Sequence, residues 1–170
     1  MKLYDIRQIV TNSELDRVDC RSATRAYLLS MADDYQIAMT ITIRQKWFDT
    51  NGKMKVTHFL NARDLPTISE RLERKLNKLI WKNGFARHRK SLKFFKVWED
   101  GFGTKRIHLH YAIGNFPPNF KLNTLNALVE KASGECYEID FEHKEDICDS
   151  GWLEYITKEV GKTDTDKVLW

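Results

Sequence analysis

Apolar and polar residues alternate strictly over residues 37–43, whose sequence is IAMTITI. Side chains on a strand alternate between its two faces, so this pattern predicts a half-buried strand with one apolar face and one face of Ala and Thr. The dipeptide Asn51-Gly52 follows, between RQKWFDT and KMKVTHFL. Both of its residues tolerate positive φ, which predicts a hairpin turn and a second strand over about 54–60.

Helical spacing of apolar residues recurs further along the chain, at residues 65–80, 122–134 and 149–161. Asp64 is the predicted N-cap of the first of these helices, and Gly84 is its predicted end. A helix over about 13–31 is also predicted from a weaker pattern.

Two more stretches have the character of strands. Residues 91–114, SLKFFKVWEDGFGTKRIHLHYAIG, are typical of a hairpin with glycines in its turn, and CYEIDFE at 136–142 alternates as a further strand. Antiparallel pairs mixed with helices predict an α+β fold, in which helices pack on a central antiparallel sheet.

The length of 170 residues predicts a single domain over 1–170. The sequence has no signal segment and no apolar run long enough for a bilayer, so we expect a soluble, intracellular protein that does not bind membranes. Its three cysteines form no Cys-x-x-Cys pair, which favours reduced thiols.

The net charge is only +4, but the basic residues are concentrated between Arg71 and Lys96, where ten of them stand against one acidic residue. Trp and Phe residues lie among them. Cations for phosphates and rings for unstacked bases are what single-stranded nucleic acid requires. The alternative is a solvated helix face with core aromatics. The candidate nucleic-acid-binding residues are Arg71, Arg74, Lys78, Lys82, Arg87, Arg89, Lys90 and Lys93.

The strand RIHLHYAIG places His108 and His110 on one face. Two imidazoles at this spacing can chelate a divalent metal, although such pairs are often only hydrogen bonded or exposed. A third ligand depends on the register of the hairpin. Odd positions of the first arm opposite even positions of the second would bring Glu99 to the histidines, and a slip by one would bring Trp98 instead. Two imidazoles and a carboxylate suit Mn²⁺ or Mg²⁺.

The predicted last helix contains WLEYITKEV, in which Tyr155 and Lys158 are three residues apart and so share one face. Leu153, Ile156 and Val160 form the predicted opposite, core-facing side. A short pair of this kind is also compatible with an ordinary amphipathic surface.

Taken together, IHLHYA followed by YITK resembles the second and third motifs of the HUH endonuclease superfamily, in particular the rolling-circle replication initiators (Rep proteins) of small viruses, phages and plasmids. MTITI stands where the first-motif strand of that family lies. The resemblance covers about residues 37–160 and implies an RRM-like or ferredoxin-like architecture. Residues 1–36 are then an N-terminal extension of this core.

The resemblance implies roles for five residues. His108, His110 and Glu99 would hold the metal, Tyr155 would attack a scissile phosphate of single-stranded DNA, and Lys158 would be a charge partner near that phosphate. The product would be a 5′-phosphotyrosine and a free 3′-hydroxyl, which can later rejoin the strand and so starts rolling-circle replication.

The implied partners are single-stranded DNA, at an origin stem-loop or nick site, and a polymerase and helicase from the host or another protein. No helicase domain is expected, since a phosphate-binding Gly-rich loop is absent from the sequence. The implied location is the host cytoplasm or nucleus, wherever the replicon is copied.

Two alternatives stay open. A single-strand transposase or relaxase would use the same chemistry, although the usual relaxase order places the tyrosine before its histidines. A non-catalytic RNA-recognition-like module would instead use LKFFKVW at residues 92–98 for stacking on bases.

Overall fold

The computed structural model describes residues 17–51, 54–99, 106–134, 136, 138–158, 160 and 168. Five helices and six strands are described, and short 3-10 turns precede β1, α2 and α4. The elements are α1 (Arg17–Ser30), β1 (Tyr35–Ile43), β2 (Lys46–Asn51), β3 (Met54–Phe59), α2 (Leu65–Trp81), α3 (Asn83–His88), β4 (Lys93–Glu99), β5 (Ile107–Gly114), α4 (Leu125–Gly134), β6 (Ile139–Ile147) and α5 (Ser150–Ile156).

Four strands form one antiparallel sheet in the order β4-β5-β1-β6, and β2 and β3 form a separate two-stranded sheet. Apart from that hairpin and the short α3, the succession from β1 to β6 is β-α-β-β-α-β, which is compatible with a ferredoxin-like fold. The predicted α+β class with a central antiparallel sheet is confirmed. The hairpin around Asn51 differs from a simple continuation of that sheet, because neither of its strands pairs with β1.

The two central strands fix which side chains share a face. Opposite His108 on β5 lies Thr42 of β1 on one side and Glu99 of β4 on the other, and Thr40 lies opposite His110. Residues directly opposite one another in an antiparallel pair point to the same face. The histidines, the threonines and Glu99 therefore belong to one face of the sheet.

The other face carries the larger core. Alternate residues of β1 and β5 pack there against α2 and α4, and all of these side chains are almost fully buried: Met39, Ile41, Ile43, Leu109, Ile113, Leu72, Leu76 and Val129. This burial follows from the alternation seen in IAMTITI, since the apolar set of a half-buried strand must face the helices.

The histidine face has a smaller core at one end. Helices α1 and α5 cover it together, with Leu28, Leu153 and Ile156 packed against Phe95 and Ala112 of the sheet. The residues predicted as an N-terminal extension therefore include a helix, α1, that contributes to this core. β1 begins at Tyr35, two residues before the predicted start.

Several helix ends differ from the sequence-based prediction. Lys82, at φ 46°, ends α2 after Trp81, and Gly84 lies within the following short helix. The Asp64 side chain does not cap α2 but accepts a hydrogen bond from the Asn61 N–H in the preceding 3-10 turn. None of the helices in the described ranges is both long and apolar enough to cross a membrane.

Gly114 at the end of β5 tests the close approach of this strand to the start of β1. A Cβ at this position would lie 1.7 Å from the carbonyl oxygen of Asp34, which is backbone and cannot rotate away. We expect Gly114→Ala to lower the free energy of unfolding, measured in urea, by about 1–3 kcal/mol or more. Gly134→Ala is the matched control, because nothing lies within 4 Å of its added Cβ. Equal stability of the two variants would contradict the observed packing.

Candidate active site

The candidate residues converge on the carboxylate of Glu99, the last residue of β4. Its Oε2 lies 2.9 Å from Nε2 of His110 and accepts a hydrogen bond from the Tyr155 hydroxyl at 3.3 Å. Its Oε1 lies 3.1 Å from Nζ of Lys158. One carboxylate on β4 therefore joins an imidazole of β5 to a phenol and an ammonium group that lie three residues apart in and just after α5.

The register of the β4-β5 hairpin decides between the two candidates for the third ligand. Odd positions of β4 lie opposite even positions of β5, so Glu99 faces His108, whereas Trp98 is opposite Leu109. Trp98 is buried in the larger core on the other face of the sheet. Of the two, Glu99 is the residue on the histidine face.

Two threonines of β1 support the histidines. Oγ1 of Thr40 lies 3.0 Å from Nδ1 of His110, and Oγ1 of Thr42 lies 3.3 Å from Nδ1 of His108. With Nδ1 occupied, Nε2 is the ring nitrogen left for a metal or a carboxylate. A hydroxyl both donates and accepts, so it satisfies Nδ1 in either tautomer. The signal in the sequence was MTIT, which has the same two-residue spacing as HLH, but only the strand pairing relates the two motifs.

Helix α5 orients Tyr155. The Asp149 carboxylate caps the helix by accepting from the Trp152 backbone N–H, while Leu153 and Ile156 are buried beneath it. The predicted core side of this helix is therefore confirmed for both residues. This burial turns Tyr155 outward, with its side chain still 41% exposed.

Trp152 also belongs to the site, although sequence analysis did not identify it. Its indole stacks on Tyr155 with ring centroids 5.5 Å apart, and the edge-to-face contacts of both rings with His110 are at 5.6 and 5.5 Å. The indole N–H donates to the carbonyl of Tyr111 at 3.1 Å and so attaches α5 to β5. Its place in WLEY was visible, but nothing in the spacing distinguished it from a core residue.

Lys158 lies just beyond α5, which ends at Ile156 and not at the predicted Gly161. Its ammonium nevertheless stands over the Tyr155 ring, 3.7 Å from the centroid, while bound to Glu99. A cation in this position interacts with both the ring and the carboxylate.

The charges within the site are set by burial and by these contacts. Burial raises the pKa of Glu99, but the hydrogen bonds with His110 and Lys158 outweigh it and the pKa falls below its ordinary value. Burial lowers the pKa of His110, against a smaller opposing effect of Glu99. Burial also disfavours the charged form of Lys158, yet its bonds to Tyr155 and Glu99 raise its pKa. Near neutral pH the site thus holds a carboxylate, an ammonium and a neutral imidazole.

The other tyrosine on the histidine strand is placed differently. Tyr111 is fully buried on the opposite face, with its hydroxyl 3.0 Å from Oγ of Ser69, and burial raises its pKa. It therefore cannot meet a DNA phosphate without unfolding the core. Tyr137 lies outside the described residues.

The donor set at Glu99 is chemically suited to a divalent ion, since it offers two imidazole nitrogens and a carboxylate. With the side chains as they stand, no group of three or more His, Cys, Asp or Glu within the described part of the chain forms a metal-binding arrangement. The Glu99 carboxylate is bonded directly to Nε2 of His110, the atom a metal would use. Metal binding therefore requires this hydrogen bond to be exchanged for ligation.

The basic segment from Arg71 to Lys96 has many exposed cationic side chains and few exposed aromatic rings. Seven of its candidate residues have exposed side chains: Arg71, Arg74, Lys78, Lys82, Arg87, Arg89 and Lys90. Arg71 forms an ion pair with Glu138, and Lys93 forms one with Asp34.

Most of the predicted rings belong to the cores. Phe95 and Trp98 are buried, and Phe94 and Trp81 pack against the larger core. For these four rings the alternative interpretation, core aromatics beside a solvated basic face, is confirmed.

Removing either threonine hydroxyl tests its role in the site. Thr40→Val and Thr42→Val leave Nδ1 of a histidine without its partner, so we expect the dissociation constant for Mn²⁺ to rise about 10- to 100-fold. Titration calorimetry measures the change. Thr67→Val, on the exposed side of α2, is the control and should bind as the parent protein does. Unchanged affinity in both site variants would show that the threonines do not support metal ligands.

The ionisation of Glu99 tests the contacts around it. Its lowered folded-state pKa means that its contribution to stability is present above the ordinary value of 4.5 and is lost as the pH falls through the folded pKa. Lys158→Met removes one of the groups that lower this pKa, so we expect the pKa to rise in that variant. Carbon NMR of the carboxyl group measures both values. A pKa at or above 4.5 in the parent protein would contradict the geometry.

In comparisons with known proteins, no protein-family model, no curated protein and no solved structure matches the chain.

Proposed function

We propose that this protein is a metal-dependent endonuclease of the HUH type, which nicks and rejoins single-stranded DNA through a 5′-phosphotyrosine on Tyr155. The observation that supports this most strongly is the convergence at Glu99. The phenol, the cation and the imidazole that the sequence motifs single out each lie within hydrogen-bond distance of the Glu99 carboxylate.

The residues present suit attack by the phenol on a phosphate. The Tyr155 hydroxyl donates to Glu99, so the proton that it must lose has an acceptor at Oε2. The ammonium of Lys158 over the ring stabilises the negative charge that develops on the phenol oxygen and on the phosphate. Burial of Leu153 and Ile156 holds the helix, so the hydroxyl needs little reorganisation before it reacts.

The proposed step is a transfer of a phosphodiester. The Tyr155 oxygen forms a bond to phosphorus, the bond to the 3′-oxygen breaks, and the 3′-oxygen takes a proton from solvent. A Mn²⁺ or Mg²⁺ ion held by His108, His110 and Glu99 would supply charge stabilisation at a non-bridging phosphate oxygen. Because the new ester conserves the energy of the old one, the 3′-hydroxyl can attack it in turn and restore the strand without ATP.

Initiation of rolling-circle replication is the role we propose for this chemistry, with the chain acting inside the cell where the replicon is copied. The free 3′-hydroxyl would serve as a primer, and a separate helicase would open the duplex. The exposed cations of α2 and α3 would contribute phosphate contacts. A transposase or relaxase shares the chemistry, but the motif order disfavours a relaxase and Lys158 favours an initiator.

The non-catalytic alternative has less support from the geometry. A module of the RNA-recognition type stacks bases on rings that stand on an open sheet face. Here Phe95 and Trp98 are buried, and helices cover much of both faces of the described sheet. The stacking surface that this alternative needs is therefore not formed by residues 92–98.

Capture of the DNA end tests the proposal. Labelled single-stranded DNA and Mn²⁺ should give a covalent adduct that survives denaturation, and mass spectrometry of its peptides should place the DNA on Tyr155. Tyr155→Phe should bind DNA without cleaving it, and Lys158→Ala should cleave roughly 10²-fold more slowly, since it removes a charge from the transition state. A His108→Ala, His110→Ala double variant should form no adduct.

Three results would contradict the mechanism. These are a 3′-phosphotyrosine, an adduct on another tyrosine, and metal-dependent hydrolysis that leaves no adduct.

A further inference from the structure

The hairpin of β2 and β3 exposes aromatic side chains that neither core uses. Phe59 is 70% exposed and Phe48 is 46% exposed. Lys46 lies directly opposite Phe59 in the pairing, and Phe48 is two residues further along the same strand. All three side chains therefore share one face, with the two rings on diagonal positions about 7–8 Å apart.

A cation belongs to the same face. Nζ of Lys46 stands 5.3 Å from the Phe48 ring centroid and 5.6 Å from that of Phe59. On the opposite face Trp47 stacks on His58, with ring centroids 5.6 Å apart and planes within 10° of parallel. The second ring pair therefore lies on the face of the hairpin opposite to Lys46.

Large exposed aromatics on a two-stranded sheet require an explanation. A hairpin of this kind is marginally stable by itself, and exposed apolar surface usually marks a binding site. Folding alone would favour polar residues at positions 48 and 59. The rings are therefore better explained by what they bind than by what they stabilise.

The charge of the hairpin points to the class of ligand. The stretch from Arg44 to Arg63 contains five Lys and Arg residues and one acidic residue, Asp49. Open rings beside a cation match an unpaired, negatively charged strand: bases stack on the rings, and the cation moves to a phosphate. Paired bases in a duplex would not expose their faces to the rings.

The hairpin also continues directly from the candidate active site. Thr42, which contacts His108, precedes Lys46 by only four residues, a length of chain that spans at most about 14 Å. A DNA strand whose phosphate reaches Tyr155 could therefore extend to the hairpin within a few nucleotides.

We propose that the face formed by Lys46, Phe48 and Phe59 is a stacking platform for two unpaired bases of the DNA strand that the protein cleaves. The inference rests on the proposed function for its choice of DNA. It goes beyond that function because it assigns base stacking to the hairpin, whereas the sequence pattern assigned it to the basic segment from Arg71 to Lys96.

Binding measurements with a labelled single-stranded oligonucleotide of about 20 nucleotides test the platform. We expect Phe48→Ala and Phe59→Ala each to weaken binding about tenfold or more, the value of a lost base stack, and the double variant to weaken it further. Phe48→Leu with Phe59→Leu keeps apolar surface but no ring, and should also lose affinity. Leu122→Ala, at an apolar side chain 42% exposed in another part of the chain, is the control and should bind normally.

The outcomes separate this inference from the proposed function. If the parent protein forms the Tyr155 adduct but the double alanine variant binds DNA as tightly as the parent, the platform is wrong and the endonuclease proposal stands. If ring loss weakens binding while no adduct ever forms, the platform stands and the endonuclease proposal fails.

Two further outcomes would overturn the platform. One is full affinity in the double leucine variant, which would show that apolar contact, not stacking, holds the ligand. The other is a dimer in sedimentation that the double alanine variant abolishes without a change in DNA affinity, which would assign the face to a second copy of the chain. Circular dichroism of each variant checks that the fold is retained.

Discussion

The register of the three strands β4, β5 and β1 is the constraint on which both the core and the site depend. A slip of one residue turns every side chain of a strand to the other face of the sheet. Here such a slip would place His108 and His110 in the larger core and expose Leu109 and Tyr111, both fully buried. That exchange would expose several large apolar side chains to water. Burial of one face therefore determines which side chains stand on the other. The histidines need no stabilising interaction of their own to be positioned.

On the histidine face, the Glu99 carboxylate balances the charges of the site. It takes one hydrogen bond from a phenol, lies against an imidazole that burial keeps neutral, and pairs with the one ammonium that also covers the phenol ring. A carboxylate alone would disfavour a DNA phosphate, and Lys158 offsets its charge. The Glu99–Lys158 pair leaves the site near neutrality. When a divalent ion or a phosphate enters, Glu99 and Lys158 can each exchange one partner for another without creating a buried, unpaired charge.

Sequence patterns predicted the parts of this structure that depend on local periodicity. Alternation in IAMTITI and RIHLHYAIG is a direct consequence of a half-buried sheet, so these strands and their apolar faces could be recognised without knowledge of the fold. The sequence could not decide whether Glu99 or Trp98 shares a face with the histidines. That choice depends on the register of the hairpin, which is set by a turn geometry that the sequence does not reveal. Trp152 and the threonines of β1 were missed for the same reason: their roles arise from pairing over long distances in sequence. The core position of Phe94 and Phe95 was one of two interpretations that the sequence left open, because a strand with both faces covered has no polar alternation to reveal it.

Segments that precede the sheet in sequence and segments that follow it both contribute to the smaller core on the histidine face. Leu28 comes from the helix before β1, and Val168 pairs with Val97 of β4 after the last described helix. Contacts over such separations form late, because the loops between them must first be ordered. During synthesis the sheet can assemble once β6 has emerged, yet α5 and Tyr155 gain their full support only after residue 168 has left the ribosome. The placement of Tyr155 thus depends both on a helix that precedes the sheet and on a residue that follows α5.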